Sequence, residues 1–306
     1  MISVVVPTNR VGGLDVLLDS LAAQTFRDFE LILVDNIWRH RSRLVHDRIQ
    51  SLPFRVKHIE PRENPFPRVA YCRTMNTGIA HARGETLVFL CDYSWLSPDC
   101  LATHAAVQKA TPGPVHLDYD YCELPPPRAG FPGYHQDGRD GSDPGYVAAI
   151  NATTDRYVAD LQAGKLDPFM WSLFAEPLDS PMGLAVNHRH RPCKTREAGD
   201  FNWCSFKNES FPTELFLEMN GLNEQLDASH CYQDQEFSYR LRGRGIEWIN
   251  GPAETGMVTV VNPRPVLNVK RLEKPIAWNR DVAAAGMGTV NPEWSLRVWR
   301  EKVLSR

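Results

Sequence analysis

The sequence predicts an α/β fold: a mostly parallel sheet flanked by helices, with one Pro/Gly-rich insertion and a C-terminal extension. Three observations predict it. Short apolar runs alternate with longer amphipathic runs over the first 120 residues. Strand–helix–strand order in such a chain implies parallel pairing through right-handed crossovers. A stretch at 125–145, with five Pro and five Gly, then breaks the alternation.

Residues 2–6 read as a buried strand. Residues 14–24 follow at helical spacing, with Leu14, Leu17, Leu18 and Leu21 on one face. A second strand is expected at 30–34, a helix at 39–51, a third strand at 55–59 and a helix at 69–82 that stops at Gly84. The fourth strand, 86–91, ends at Asp92, and a helix opens at Pro98. Beyond the Pro/Gly-rich stretch the pattern predicts a helix at 151–164 and irregular chain at 181–200. A strand at 201–206, helices at 212–219 and 234–242, and a strand at 246–249 complete it. The tail from Asn262 carries Trp278, Trp294 and Trp299 among basic residues and reads as an extension packed on the core.

Composition narrows the function classes. The 306 residues carry 34 Lys/Arg against 37 Asp/Glu, so net charge does not advertise a polyanionic partner. Its distribution is uneven: residues 36–62 hold seven Lys/Arg against two acids, and 188–196 hold four against none. Residues 263–306 hold nine against four. No apolar run approaches the ~18 residues of a membrane span. Seven cysteines without a Cys-x-x-Cys pair, and an opening that runs straight into a strand, lead us to expect free thiols in a cytoplasmic setting.

Ligands of open parallel sheets sit at the carboxyl ends of the strands. Three such ends are polar or acidic here: Pro7-Thr8-Asn9-Arg10, Asp35-Asn36 and Asp92-Tyr93-Ser94. Together they favour a site over turn chemistry alone. No Gly-x-Gly-x-x-Gly follows the first strand, and no Walker loop or Gly-x-Ser-x-Gly elbow occurs, which argues against dinucleotide oxidoreductases, P-loop NTPases and α/β-hydrolases.

Several segments in order resemble the inverting family 2 glycosyltransferases of the GT-A, Rossmann-like fold. They are Ile2-Ser-Val-Val-Val-Pro-Thr-Asn9, Leu21-Ala-Ala-Gln-Thr-Phe26, Phe29-Glu-Leu-Ile-Leu-Val-Asp35, and Arg73-Thr-Met-Asn76-Thr-Gly78 running on to Leu87-Val-Phe-Leu-Cys-Asp92. Asn220-Gly-Leu-Asn-Glu224 and Gln233-Asp234-Gln-Glu236, with Arg240-Leu241 and Gly245 behind, are similar to the family's acceptor-side block.

The resemblance implies a nucleotide-sugar donor, most simply a UDP-sugar, held by Pro7, Thr8, Asn9, Asp35, Arg73 and Asn76. It implies a divalent cation, Mn²⁺ or Mg²⁺, on Asp92 and a catalytic base at Asp234. Trp203 reads equally as an acceptor-side stacking platform or a core residue, and Glu236 as an acceptor contact or the salt-bridge partner of Arg240. The resemblance divides the chain into a nucleotide-sugar-binding half at 1–120, an irregular insertion at 121–200, an acceptor and catalytic half at 201–260, and the extension at 261–306. The chemistry suits these residue types: a hard cation on carboxylate oxygen neutralises the departing diphosphate, and a second carboxylate takes the acceptor proton.

Two departures stand out. The family's Asp-x-Asp is Asp92-Tyr93-Ser94 here, and Gln233 precedes the expected base where the family has Glu. The lost carboxylate keeps open a catalytically impaired module that only binds nucleotide or glycan. His188-x-His190-x-x-Cys193 has zinc-like spacing, but Arg189, Arg191 and Lys194 around it repel a cation and fit a basic loop over a diphosphate better. The acceptor is open between a saccharide, a lipid-linked sugar, a protein side chain and a hydroxymethylated DNA base, and the basic stretches leave room for the last. No stable membrane insertion is expected.

Overall fold

The computed structural model describes residues 1–8, 14–63, 70–92, 94–117, 119–123, 163, 190–192, 204, 206–228, 233–251, 257–261 and 290–306. The expected helix at 151–164, Asn9, Trp203, His188 and Cys193 lie outside them, as does most of the insertion.

The chain begins β1 (Ile2–Thr8), α1 (Leu14–Ala22), β2 (Phe29–Asp35), α2 (Trp38–Ile49), β3 (Arg55–Ile59), α3 (Tyr71–His81), β4 (Thr86–Phe89). It continues with β5 (Ser94–Leu96), α4 (Cys100–Ala110), β6 (Val115–His116), β7 (Tyr119–Glu123) and β8 (His190–Pro192). Then come β9 (Glu209–Pro212), α5 (Thr213–Glu218), a 3₁₀ turn (Glu224–Ala228), α6 (Gln233–Gly243), β10 (Ile249–Asn250), β11 (Met257–Val261) and α7 (Leu296–Leu304).

Among the described residues the main sheet has seven strands in the order β10-β6-β9-β4-β1-β2-β3. The pairs β1–β2, β2–β3, β1–β4 and β6–β10 are parallel, and β9 alone runs against its neighbours. Side chains alternate between two cores. Val4, Val6, Leu31, Leu33, Val88 and Leu90 join α1 and α4 on one face. Val5, Ile32, Val34, Leu87 and Phe89 join α3, α5 and α6 on the other. Burial on both faces is why these strands read as unbroken apolar runs rather than alternating ones.

Helix α3 lies close on β1. A methyl group at Gly78 would stand 2.4 Å from Val5 Cγ1 and 3.2 Å from Val34 Cγ2. That contact outweighs the ~1 kcal/mol that alanine gains over glycine inside a helix.

Two corrections concern strands. The strand expected at 201–206 is not formed at Cys204 or Phe206; the strand is β9, Glu209–Pro212. Its Glu-Ser-Phe-Pro sequence hides it, because Glu209 and Ser210 are buried polar residues satisfied by partners. Glu209 Oε2 accepts from Phe206 N (2.8 Å) and Cys204 Sγ (3.1 Å), and Ser210 Oγ pairs with His104 Nδ1 (2.9 Å) and accepts from Gln108 Nε2 (2.9 Å). A second sheet, β5-β11-β7-β8, was not expected at all; it joins segments separated by the insertion.

Candidate active site

All parallel strands deliver their carboxyl ends to one edge, and β9, being reversed, delivers its first residue there. Thr8, Asp35, Asp92 and Glu209 therefore share that edge.

Thr8, Asp35 and Asp92 are joined through a residue that sequence reasoning passed over. Arg41, on α2, is 1% exposed and one of the largest fully buried side chains. Its guanidinium grips Asp35 with two bonds, Nε to Oδ2 at 2.6 Å and Nη2 to Oδ1 at 2.9 Å. Nη2 also donates to Thr8 Oγ1 at 3.0 Å, and Thr8 Oγ1 donates to Asp92 Oδ2 at 2.9 Å. Asp35 Oδ1 further accepts from Ile37 N (2.9 Å), and Oδ2 meets His58 Nε2 at 2.8 Å. Burial acts to raise the Asp35 carboxyl, but Arg41 and His58 beside it win and hold it below the usual carboxylate range. The expected direct nucleotide contact from Asp35 thus meets a side chain that is 0% exposed and bonded at both oxygens within the protein. Arg41 is one of seven Lys/Arg in the basic stretch 36–62, where nothing in the sequence sets it apart from its neighbours.

The helix residues expected to touch the donor are held by the chain itself. Asn76 is fully buried, with Oδ1 accepting from Leu222 N at 2.8 Å and Nδ2 donating to Leu222 O at 2.8 Å and Glu224 Oε1 at 3.1 Å. It pairs with the acceptor-block loop as a backbone strand would. Gly221 there has φ +73°, and a Cβ on it would lie 2.3 Å from Asn76 Oδ1. Arg73, a quarter exposed, donates from Nε to Glu224 Oε2 (3.4 Å) and from Nη1 to Glu63 O (3.3 Å).

Asp227 caps α3 from a distance, accepting from Cys72 N at 2.7 Å and Arg73 N at 3.1 Å. Burial nonetheless pushes its carboxyl up to about 6. The same loop is tied from the C-terminal segment. Asn291 donates to Asn220 O (3.0 Å) and Leu222 O (2.9 Å), and Glu224 N donates to Asn291 Oδ1 (3.1 Å). Arg62 reaches Glu224 Oε2 at 2.8 Å while lying over the rings of Trp294 (4.4 Å) and Trp299 (4.8 Å).

Asp234 stands in the first turn of α6, where the helix dipole favours an acid. Phe237, one turn on, anchors the helix by stacking on Phe216, with centroids 4.5 Å apart. Asp234 Oδ1 accepts from Gln235 N at 2.9 Å, and its backbone O accepts from Ser238 Oγ at 2.7 Å. Burial raises the Asp234 carboxyl; the Gln235 amide pulls it back, and Glu209 nearby pushes it up again. Tyr71, at the start of α3, packs its ring against Phe206 with centroids 6.2 Å apart, and burial raises its phenol, as does the Asp234 carboxylate. Glu236, read as an acceptor contact or as the salt-bridge partner of Arg240, is 1% exposed and paired with Arg240 at 2.7 Å.

Among the described residues no three His, Cys, Asp or Glu side chains form a metal cluster. The donor set still suits a hard cation. Asp92 supplies carboxylate oxygen, and the Ser94 hydroxyl two residues on is fully buried without a hydrogen-bond partner. Mg²⁺-type ions commonly take only one or two protein carboxylates plus phosphate and water.

The glycosyl transferase family 2 model matches residues 3–115, from β1 to the first residue of β6. Residues 3–115 therefore carry a glycosyl transferase family 2 region. Solved structures agree on the fold. S. aureus TarS 1-349 in complex with UDP-GlcNAc superposes with a TM-score of 0.54 at 13% identity, covering 99% of this chain and 70% of that one. The mannosyltransferase PcManGT from Pyrobaculum calidifontis, in complex with GDP-Man and Mn²⁺, gives 0.50 at 17% identity, covering 99% and 69%. Such identities establish the GT-A architecture of this chain and nothing finer. No curated protein matches the sequence. Among the described residues, no helix is long and apolar enough to cross a membrane.

Proposed function

We propose that this transferase moves a sugar from a nucleotide diphosphate donor to an acceptor hydroxyl with inversion at the anomeric carbon. The donor half is 1–120 and the catalytic half 201–260. The observation that carries the reading is a pair of acids in unlike surroundings: Asp92, just beyond β4 and bonded to Thr8, and Asp234, its carboxyl raised by burial, at the head of α6. Carboxylates placed in different environments suit different tasks.

In this reading Asp92, with the buried Ser94 hydroxyl beside it, holds the divalent cation. That cation, Mn²⁺ or Mg²⁺, neutralises charge on the leaving diphosphate. Asp234 accepts the hydroxyl proton as the acceptor oxygen attacks, and its raised carboxyl makes it a stronger base than an exposed aspartate. The carboxyl end of β1 and the loop after it receive the nucleotide, with Pro7 and Thr8 ending the strand and Asn9 following. The complexes of the structural neighbours, with UDP-GlcNAc and with GDP-Man and Mn²⁺, favour a uridine or guanosine diphosphate sugar. The acceptor is a saccharide or a hydroxymethylated base in nucleic acid, and the setting is cytoplasmic.

A thermal-shift panel of UDP-glucose, UDP-GlcNAc and GDP-mannose, with Mn²⁺ or with EDTA, tests this. A donor at a hundredfold its Kd stabilises the folded state by about 2.7 kcal/mol, which reads as a clear rise in Tm. One donor is expected to give that rise with Mn²⁺ and less with EDTA. No shift with any nucleotide sugar would remove the proposal.

A further inference from the structure

We propose that Thr8 and Arg41 are positioning residues, anchored by Asp35, that fix the Asp92 carboxylate for the cation-bridged diphosphate. The inference rests on the reading of Asp92 given above and extends it to the residues bonded behind that carboxylate.

The direction of the hydrogen bonds is determined by chemistry. A guanidinium only donates, so Thr8 Oγ1 accepts from Arg41 Nη2 at 3.0 Å. A threonine hydroxyl has one proton, and here it goes to Asp92 Oδ2 at 2.9 Å. Thr8 therefore cannot turn its proton elsewhere without abandoning Asp92. Arg41 in turn cannot rotate, because two of its nitrogens are committed to Asp35, which is itself held by Ile37 N and His58. Each link is buried: Asp35 is 0% exposed, Arg41 1%, Thr8 2% and Asp92 3%.

Stability alone is a weak reason to keep such a chain. A buried ion pair often does no better than an apolar pair of equal volume. What the chain does supply is a fixed orientation for one carboxylate. That matters most where a site has a single carboxylate in place of two, as in Asp92-Tyr93-Ser94. Partners behind a metal ligand typically govern 10–100-fold in metal affinity. Asp35 thereby acquires a role as anchor of the Asp92 carboxylate.

The test is Mn²⁺ affinity in the presence of UDP, read from the electron paramagnetic resonance signal of free Mn²⁺. Thr8→Val keeps the shape and removes the hydroxyl; Thr8→Ser keeps the hydroxyl. We expect about tenfold or greater weakening for Thr8→Val and near-normal affinity for Thr8→Ser. The double variant Asp35→Leu with Arg41→Met, which replaces the ion pair by apolar groups, is expected to weaken Mn²⁺ as Thr8→Val does, and serves if Thr8→Val does not fold. Asp92→Asn separates the two levels. If it loses Mn²⁺ while Thr8→Val and the double variant bind normally, the relay is overturned and the Asp92 reading stands. If Asp92→Asn binds Mn²⁺ normally, or the unaltered protein binds none, both fall. Equal weakening by Thr8→Ser and Thr8→Val also overturns the relay, since the hydroxyl would then not be the cause.

Discussion

Asp234→Asn is expected to lower sugar transfer by about 10²–10⁴-fold, the usual contribution of a positioned base, while leaving donor affinity unchanged. The amide preserves the size of the side chain and an oxygen for the Gln235 N–H bond, but it cannot take a proton. The pH dependence has a definite sign. Burial raises the carboxyl, so the base is protonated and inactive at a pH where an ordinary aspartate is still ionised. Transfer should therefore fall as pH drops through that raised value, and the Asn variant should lose this acidic limb. Initial rates of transfer across pH, with donor affinity measured in parallel, check both statements. Undiminished transfer would exclude Asp234 as the base.

The largest loss of stability is expected from Arg240→Met. Arg240, 3% exposed, pairs with the buried Glu236 and donates to Met219 O at 2.7 Å and Gly221 O at 2.8 Å. Removing it strands a carboxylate and two carbonyls in the core. Breaking one partner of a buried pair costs roughly 3–5 kcal/mol, a fall in Tm on the order of 10 °C for a chain of this size. Adding Glu236→Leu should recover part of this by removing the stranded charge. The carbonyls of Met219 and Gly221 still lack a donor, at about 1–3 kcal/mol each when buried, so recovery stays incomplete. Urea midpoints of the single and double variants measure it. If Arg240→Met unfolds at the wild-type midpoint, the pair does not hold the acceptor-block loop.

These two residues also mark where the sequence was informative. The parallel core was legible because strands buried on both faces leave continuous apolar runs, as at 2–6, 30–34 and 86–91. Strand β9 was not, since Glu209 and Ser210 exchange apolar burial for hydrogen bonds that only the folded chain reveals. The tips of β1, β2 and β4 were recognisable as a polar edge. What each tip does was less so. Asp35 and Asn76 have the residue types of ligand contacts, yet both spend their hydrogen bonds on the protein, through Arg41 in one case and Leu222 in the other. Glu236 likewise turned out to serve Arg240. The partner of Asn76 lies 146 residues along the chain, so spacing carries no trace of it. Arg41 offered one faint signal: it stands six residues beyond Asp35, at the start of the helix that follows the strand.

The proposed function requires a direct displacement at the anomeric carbon, with diphosphate leaving on the Asp92 side and the attacking oxygen deprotonated on the Asp234 side. Slow donor hydrolysis lets water stand in for the acceptor, so the displacement is testable before the acceptor is known. Proton NMR of the sugar released from an α-linked donor such as UDP-GlcNAc or GDP-mannose, recorded before mutarotation, should show the β anomer first. Release of the α anomer, or no cleavage of any donor, would contradict the account.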